Sequence, residues 1–334
     1  MCGNKKMNIG IVGCGLIGKK RAKSIPSTHT IAGVCDVQEE RAKELALMTG
    51  CRFVTNDYRK LLEMPGLDLV IVSTLNNMLA PITLYAVERG IHVIVEKPGG
   101  ISSRELLPIM ETAEKNHVIV KVGFNHRYHP AMLKAKEIME REETGEVMFI
   151  RGRYGHGGRV GYDREWRADA SVSGGGETID QGVHLIDLAR WYMGEFEEVS
   201  GFATTYFWDM PVDDNGFISL RKKDGRAAWL QVSCTEWKNM FSLEIYCKNA
   251  KLAIEGLGGS YGVEKLYHYQ MLPQMGPPDT VIYEYPRGDK SWELEFKEVE
   301  EAIEAGRNLK MGDIRDAWEA LKIVEQIYRQ EKTE

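Results

Sequence analysis

Over its first 125 or so positions the chain alternates short, almost unbroken apolar runs with longer segments in which apolar residues return every three or four places. The runs "MNIGIVG", "TIAGVCD", "LDLVIVST", "IHVIVEKP" and "VIVKVGF" predict strands buried on both faces, as parallel strands are. Between them "LIGKKRAKSI", "QEERAKELALMTG", "MLAPITLYAVERG" and "SRELLPIMETAEKNH" predict helices, several closing on Gly or Asn. Strand, helix and strand in regular succession predict an α/β domain with a doubly wound parallel sheet over residues 1–125.

The pattern changes after a connecting helix near "PAMLKAKEIMEREETG". From "EVMFIRGRY" through "EVSGFATTYFW", "GFISLRKKDGRAAWLQVSCTEW", "FSLEIYCKNAKLAIEG" and "TVIYEYP", strands alternate with turn dipeptides such as Asp224-Gly225. This predicts an α+β domain, residues 126–334, built on a large, open, mostly antiparallel sheet. In "AWLQVSCTEW", Leu230, Val232 and Cys234 make an apolar face, while Trp229, Gln231, Ser233 and Thr235 make a mixed one. The mixed face, with Trp229 and Trp237, reads either as a contact between subunits of a homo-oligomer (dimer or tetramer) or as a helix-packing surface. Two closing helices, "SWELEFKEVEEAIEAG" and "DIRDAWEALKIVEQIYRQ", are expected to return to the first sheet.

Composition narrows the classes. A chain of 334 residues, 43% hydrophobic and 28% charged, has the makings of two globular domains. A net charge of -6 argues against a nucleic-acid binder working through bulk charge. Only "MCGNKK" precedes the first strand and no apolar run approaches the ~18 residues of a membrane span, so a cytoplasmic protein with no membrane partner is expected. Six cysteines (Cys2, Cys14, Cys35, Cys51, Cys234 and Cys247) show no metal or disulfide spacing and read as buried thiols.

"GIVGCGLIG" between the first strand and first helix supplies Gly13, Gly15 and Gly18 as GxGxxG, the phosphate-binding turn of a Rossmann domain. Asp36 ends the second strand run, 18 residues after Gly18, where a carboxylate can accept from both adenosine ribose hydroxyls. A phosphate there would be repelled, so NAD is favoured over NADP, although Arg41 lies one helical turn on. Cys14, Leu16 and Ile17 of the loop, with Ser73, Thr74, Leu75 and Asn76 at the end of the "LDLVIVST" run, complete the expected cofactor contacts. "VEKPGG" puts Glu96 and Lys97 at another strand end, where ligands of such sheets bind. A lysine there, beside the positive ring of an oxidised cofactor, suits proton relay.

"GGGETIDQGVHLIDLARWYMG" predicts a largely apolar helix with Asp180, His184, Asp187 and Trp191 along one stripe. Buried charge needs partners, so the stripe faces either an internal network or a ligand site. An imidazole there can take a hydroxyl proton near neutral pH, and Asp187 could orient its other nitrogen. His126 and His129 lack acidic or thiol partners at ligand spacing, so no metal is expected.

In this order, GxGxxG, "STLNN", "EKP", "GFNHRYHP" and the "GGGETIDQGVHLIDLARWYMG" helix resemble the glucose–fructose oxidoreductase, inositol dehydrogenase and MocA family over nearly the whole chain. The resemblance implies an NAD-dependent dehydrogenase in which Lys97 hydrogen-bonds the reacting oxygen, Asp180 orients the group and His184 accepts the proton. It places Asn125 near the nicotinamide ribose and lets Tyr154, Trp166 and Arg167 line a sugar site, with Arg127 also among the substrate contacts. Thr74-Leu75-Asn76 followed by Leu79 departs from the TPN and His of many relatives. The segment Arg151 to Asp169 holds five Arg against three acids and reads as a flap holding an anionic ligand group or as a loop tied by local salt bridges. The substrate expected is a secondary alcohol of a sugar, inositol or nucleotide-sugar. An NAD-using glycosidase acting by transient oxidation and a non-catalytic dinucleotide sensor are the alternatives.

Overall fold

A computed structural model describes residues 6–331. Cys2 lies outside the described residues. The chain folds as two compact units: one holds the described residues up to Phe124 with Trp292–Glu319, the other Asn125–Ser291 and the chain from Ala320 on. The helix Ser291–Ala305 thus belongs to the first unit from Trp292 onward, and the helix Ile314–Glu331 passes from the first unit to the second.

The first unit carries a six-stranded parallel sheet of β1 (Asn8–Val12), β2 (Thr30–Cys35), β3 (Phe53–Thr55), β4 (Leu69–Val72), β5 (His92–Val95) and β6 (Val120–Val122). Their order is β3-β2-β1-β4-β5-β6. The order reverses between β1 and β4, the switch point at whose carboxyl ends such sheets bind ligands. Ile9, Ile11, Val34, Leu69, Ile71 and Ile94 are sealed beneath Leu45, Phe296 and Val299. β3 escaped the sequence pattern because it is three half-buried residues, "FVT", too short to make an apolar run.

The second unit carries eight strands: β7 (Val147–Gly155), β8 (Glu198–Thr204), β9 (Asn215–Arg221), β10 (Ala227–Ser233), β11 (Met240–Cys247), β12 (Ala250–Glu255), β13 (Glu264–Gln270) and β14 (Asp279–Tyr285). The order is β14-β13-β12-β11-β7-β10-β9-β8, antiparallel except where β7 lies beside β10. β13 was also missed: its inward positions are Glu264, Leu266 and His268, so polar residues interrupt the apolar alternation. The helix Val183–Met193 packs on β7 and β10. Gly152 permits this, since a Cβ there would stand 3.0 Å from Leu230 and 3.3 Å from Leu185. The opposite face shows Arg151, Arg153 and Trp229, the last 59% exposed. Among the described residues no helix is long and apolar enough to cross a membrane.

Candidate functional site

The first unit offers a cradle built from backbone. Gly13 sits at φ +95°, and a Cβ on it would fall 2.3 Å from the Ser73 carbonyl oxygen. A Cβ on Gly18 would fall 2.0 Å from the Gly13 carbonyl oxygen, so this residue lets the helix Leu16–Ser24 close onto the loop. Gly15 is different: a Cβ there would meet nothing within 4 Å. The space it keeps open lies at a helix N-terminus with no side-chain cap, where backbone N–H groups are available to an anion.

Asp36 follows β2 and is held in place, its Oδ2 accepting from the Cys14 N–H at 2.8 Å and its Oδ1 from the Gln38 N–H at 2.8 Å. The Ser73 hydroxyl donates to the Gly13 carbonyl at 2.8 Å, locking the end of β4 to the loop. Asn76 is buried, whereas Leu16 and Leu75 are exposed. Burial pushes the Cys14 and Cys35 thiols up to about 12, so both are inert fillers beside the loop. Glu96 and Lys97 follow β5 at its carboxyl end, and the Glu96 carboxylate accepts from Arg21 Nε at 2.7 Å.

In the second unit the expected helix begins differently. Thr178–Gly182 is a π-helical turn, and only Val183–Met193 is α-helical. The wider turn changes the angular step between Asp180 and His184, so the predicted stripe is not a simple α-helical line. Such turns recur at functional sites because they re-aim a side chain. Asp213 holds this start in place, accepting from the N–H groups of Gly176 at 2.9 Å and Thr178 at 2.7 Å and from the Tyr328 hydroxyl at 2.8 Å. Close packing also explains the glycines: a Cβ on Gly176 would fall 1.9 Å from the Asp213 carbonyl oxygen, and one on Gly175 2.3 Å from the Tyr328 hydroxyl.

Asp180 accepts from Arg167 Nε at 3.0 Å. The His184 ring stacks on His126, 3.8 Å between centres and 19° between planes. Tyr154 lies 6.2 Å from His184 and 5.1 Å from Tyr261, ring centre to ring centre. The Arg167 guanidinium lies 4.5 Å from the centre of the Trp166 ring. Asp180, His184, Tyr154, Trp166 and Arg167, expected from sequence, thus belong to a linked set of side chains in which His126 and Tyr261 are additions.

Three further side chains have partners that the sequence did not pair with them. Asp187, read as the orienting group for His184, accepts from Arg127 Nε at 2.7 Å and Nη2 at 2.5 Å. Arg127, read as a substrate contact, is therefore a buried counter-ion at 3% exposure. Asn125 donates to the Ser291 hydroxyl at 2.9 Å. His129 forms an ion pair with Glu264 at 2.8 Å, and among the described residues no group of three or more His, Cys, Asp or Glu is placed to hold a metal ion.

Family models decide the relationship. The oxidoreductase family with an NAD-binding Rossmann fold matches residues 7–124, and the GFO/IDH/MocA C-terminal domain matches residues 132–253. The chain belongs to the Gfo/Idh/MocA oxidoreductase family. Levoglucosan dehydrogenase of Pseudarthrobacter phenanthrenivorans is 25% identical over 304 residues, 86% of this chain and 75% of its own. The scyllo-inositol 2-dehydrogenase (NAD(+)) of Bacillus subtilis is 26% identical over 324 residues, 92% of this chain and 90% of its own. Among solved structures, a levoglucosan dehydrogenase complex with NADH matches at a TM-score of 0.88 and 21% identity, covering 98% of both chains, a likeness of fold.

As a Gfo/Idh/MocA protein the chain carries an NAD-binding first domain, and the cradle fits that cofactor: Gly15 leaves room for a pyrophosphate, the helix N-terminus faces it, and Asp36 is fixed one strand away. The Arg-rich segment of this oxidoreductase starts on β7, which carries Arg151 and Arg153, and leaves the sheet only after Gly155. Arg151 bonds Glu244 at 2.9 Å, Arg159 bonds Glu165 through two contacts of 2.6 and 2.5 Å, and Arg153 reaches Glu236 at 3.5 Å. Of the two readings, local pairing describes Arg159, whereas Arg151 and Arg153 pair with carboxylates 93 and 83 positions away. Sequence reasoning missed His156, whose ring nitrogen stands 3.5 Å from the buried Glu177. Burial lowers the imidazole's affinity for a proton, but its bond and charge contact with Glu177 outweigh this and raise it on balance. The only signal in the sequence was its place between two glycines.

Proposed function

We propose that this oxidoreductase oxidises a secondary hydroxyl of a sugar, inositol or nucleotide-sugar to a ketone, with NAD in preference to NADP. The observation that carries the reading is the side-chain set of Asp180, His184, Tyr154 and Arg167: a carboxylate and an imidazole on one helical segment, beside aromatic and cationic groups that suit a polyhydroxylated ring. The relatives' names, a levoglucosan and a scyllo-inositol dehydrogenase, favour the same substrate class. The anchored carboxylate of Asp36 favours the coenzyme without a ribose phosphate.

Bound NAD supplies the hydride acceptor. As the C–H hydrogen leaves with its electron pair, the hydroxyl proton passes to His184, and the C–O bond becomes a carbonyl. Lys97 hydrogen-bonds the reacting oxygen. Asp180, steadied by Arg167, holds the alcohol in line, and Asn125 serves the nicotinamide ribose. Trp166 and Tyr154 give the sugar apolar surface. Copies of the chain associate through the open sheet face around Trp229, Arg151 and Arg153. A cytoplasmic setting suits the free thiols of Cys14, Cys35, Cys51, Cys234 and Cys247.

NADH accumulation across a panel of inositols, free sugars and nucleotide-sugars identifies the substrate class. With the best of these, Lys97→Ala and His184→Ala are each expected to lower kcat by ~100-fold or more while NAD affinity stays within a few fold. Unchanged turnover in either variant rejects its assignment.

A further inference from the structure

Four charged side chains meet inside the first unit, three of them sealed and Glu96 12% exposed. Arg21 comes from the helix that starts at the glycine loop, Glu96 follows β5, Lys121 lies on β6, and Glu295 belongs to the helix Ser291–Ala305. Arg21 Nε donates to Glu96 Oε1 at 2.7 Å and its Nη1 to Glu295. Lys121 Nζ stands 3.6 Å from Glu295 and donates to the Met311 carbonyl at 2.8 Å. The Trp292 ring covers the guanidinium, 4.3 Å from ring centre to Cζ. Room for the cluster is reserved by Gly123, where a Cβ would fall 2.7 Å from Arg21 and 3.0 Å from Glu96.

Such a cluster is a poor way to gain stability. Desolvating charges costs about as much as their attraction returns, and apolar side chains of similar volume often do as well or better. Its placement supplies another reason for it. Arg21 stands one helical turn beyond Gly18, on the helix whose first turn meets the pyrophosphate. Glu96 directly precedes Lys97, and its backbone is also clamped, its N–H donating to Val72 at 2.9 Å and its carbonyl accepting from Gly99 at 3.0 Å.

We propose that Arg21 is a positioning residue for Lys97. By engaging Glu96, its guanidinium ties the cofactor helix to the strand end that presents the lysine, and it occupies a carboxylate that would otherwise turn to its neighbour's ammonium. The two-pronged hold on Glu96 and Glu295 calls for the planar fork of arginine. The proposal rests on the role given to Lys97 above.

Three variants of the full chain test it, with NAD and the substrate selected from the panel. Arg21→Met/Glu295→Gln removes one charge of each sign, so the buried sum is preserved while Glu96 loses its arginine. It is expected to lower kcat about 30-fold, with the alcohol KM and the NAD Kd within about threefold, because displacement of a reacting group is read in turnover. Arg21→Lys returns the positive charge without the fork and should recover only part of the loss, to about tenfold below the parent kcat. Glu295→Gln alone leaves the Arg21–Glu96 bond and should keep kcat within about threefold.

A parent-like kcat in the double variant overturns the proposal. So does a rise in KM and Kd alongside the fall in kcat, or an Arg21→Lys no better than the double variant. Should the double variant fail to fold, the two single variants decide: a loss in Glu295→Gln as large as in Arg21→Lys makes the cluster merely structural. Lys97→Ala separates this from the parent reading. Full turnover in that variant removes the lysine's role, whereas an inactive Lys97→Ala beside a normal Arg21→Met/Glu295→Gln removes only the role of Arg21.

Discussion

The glycine loop of the first unit and the polar cluster of the second are built in opposite ways. The loop is backbone: Gly13, Gly15 and Gly18 lie within six residues, and what they do is leave side chains out. The cluster is side chain: His126, Tyr154, Arg167, Asp180, His184 and Tyr261 come from five separate stretches and meet only because a sheet and a helix hold them. A site of the first kind is encoded locally, and its failure is steric. A site of the second kind is encoded in tertiary packing, and its failure is electrostatic.

The largest effect expected from breaking this contrast lies in the loop. Gly13→Ala would combine a left-handed backbone, about 1–2 kcal/mol, with overlap on Ser73, about 1–3 kcal/mol, so NAD affinity should fall ~100-fold or more and thermal stability should fall with it. Gly15→Ala meets nothing in the protein, so thermal stability should stay within about 0.5 kcal/mol while NAD binding is lost to the new methyl group. Calorimetry and fluorescence titration of both variants check the pair. Equal losses of stability in the two would show that the loop's glycines do not divide their roles.

That division is why so much of the first unit was legible. Five buried strands announce themselves as apolar runs, and GxGxxG followed by Asp36 is a pattern of short range. β3 was not legible, because three half-buried residues leave no periodic mark. In the second unit, Asp180, His184 and Arg167 could be named from the chemistry of their types, but their partners could not. Arg127 lies 60 positions from Asp187, and spacing says nothing of such a pair. Asp213 was overlooked for the same reason, although it anchors the start of the helix that bears Asp180. The π turn at Thr178–Gly182 is a consequence of packing against Asp213 and Tyr328 that no local propensity records.

An effect of similar size concerns that overlooked pair. Arg127→Met leaves Asp187 without its guanidinium in the interior and should cost about 3–5 kcal/mol, read from urea unfolding. Arg127→Met/Asp187→Leu removes both charges and should recover most of that loss. A single variant costing under about 1 kcal/mol would show that the pair is not what holds Arg127 in place.

The smallest effect tests whether a carboxylate in the second unit can do what the loop does with backbone, and it separates the two designs by pH. Asp214 accepts from the N–H groups of Tyr206, Phe207 and Trp208 at 2.9, 2.7 and 3.0 Å and from the Asn215 amide at 2.9 Å. Burial pushes this carboxyl up, but the Asn215 amide and the three N–H groups outweigh it, and the net result lies below the ordinary carboxylate value. A group depressed on folding contributes stability above its unfolded value of about 3.9 and loses it as pH falls through the folded value. Asp214→Asn should therefore cost about 1.5–3 kcal/mol at pH 7, as loss of hydrogen bonds to a charged group does. Below pH 4 the gap to the parent should narrow, because the parent's own carboxyl takes up a proton and gives up the same advantage. Urea unfolding at pH 7 and pH 3 reads the difference, and a deficit of the same size at both would mean that the charge on Asp214 contributes nothing to holding the Tyr206–Trp208 turn.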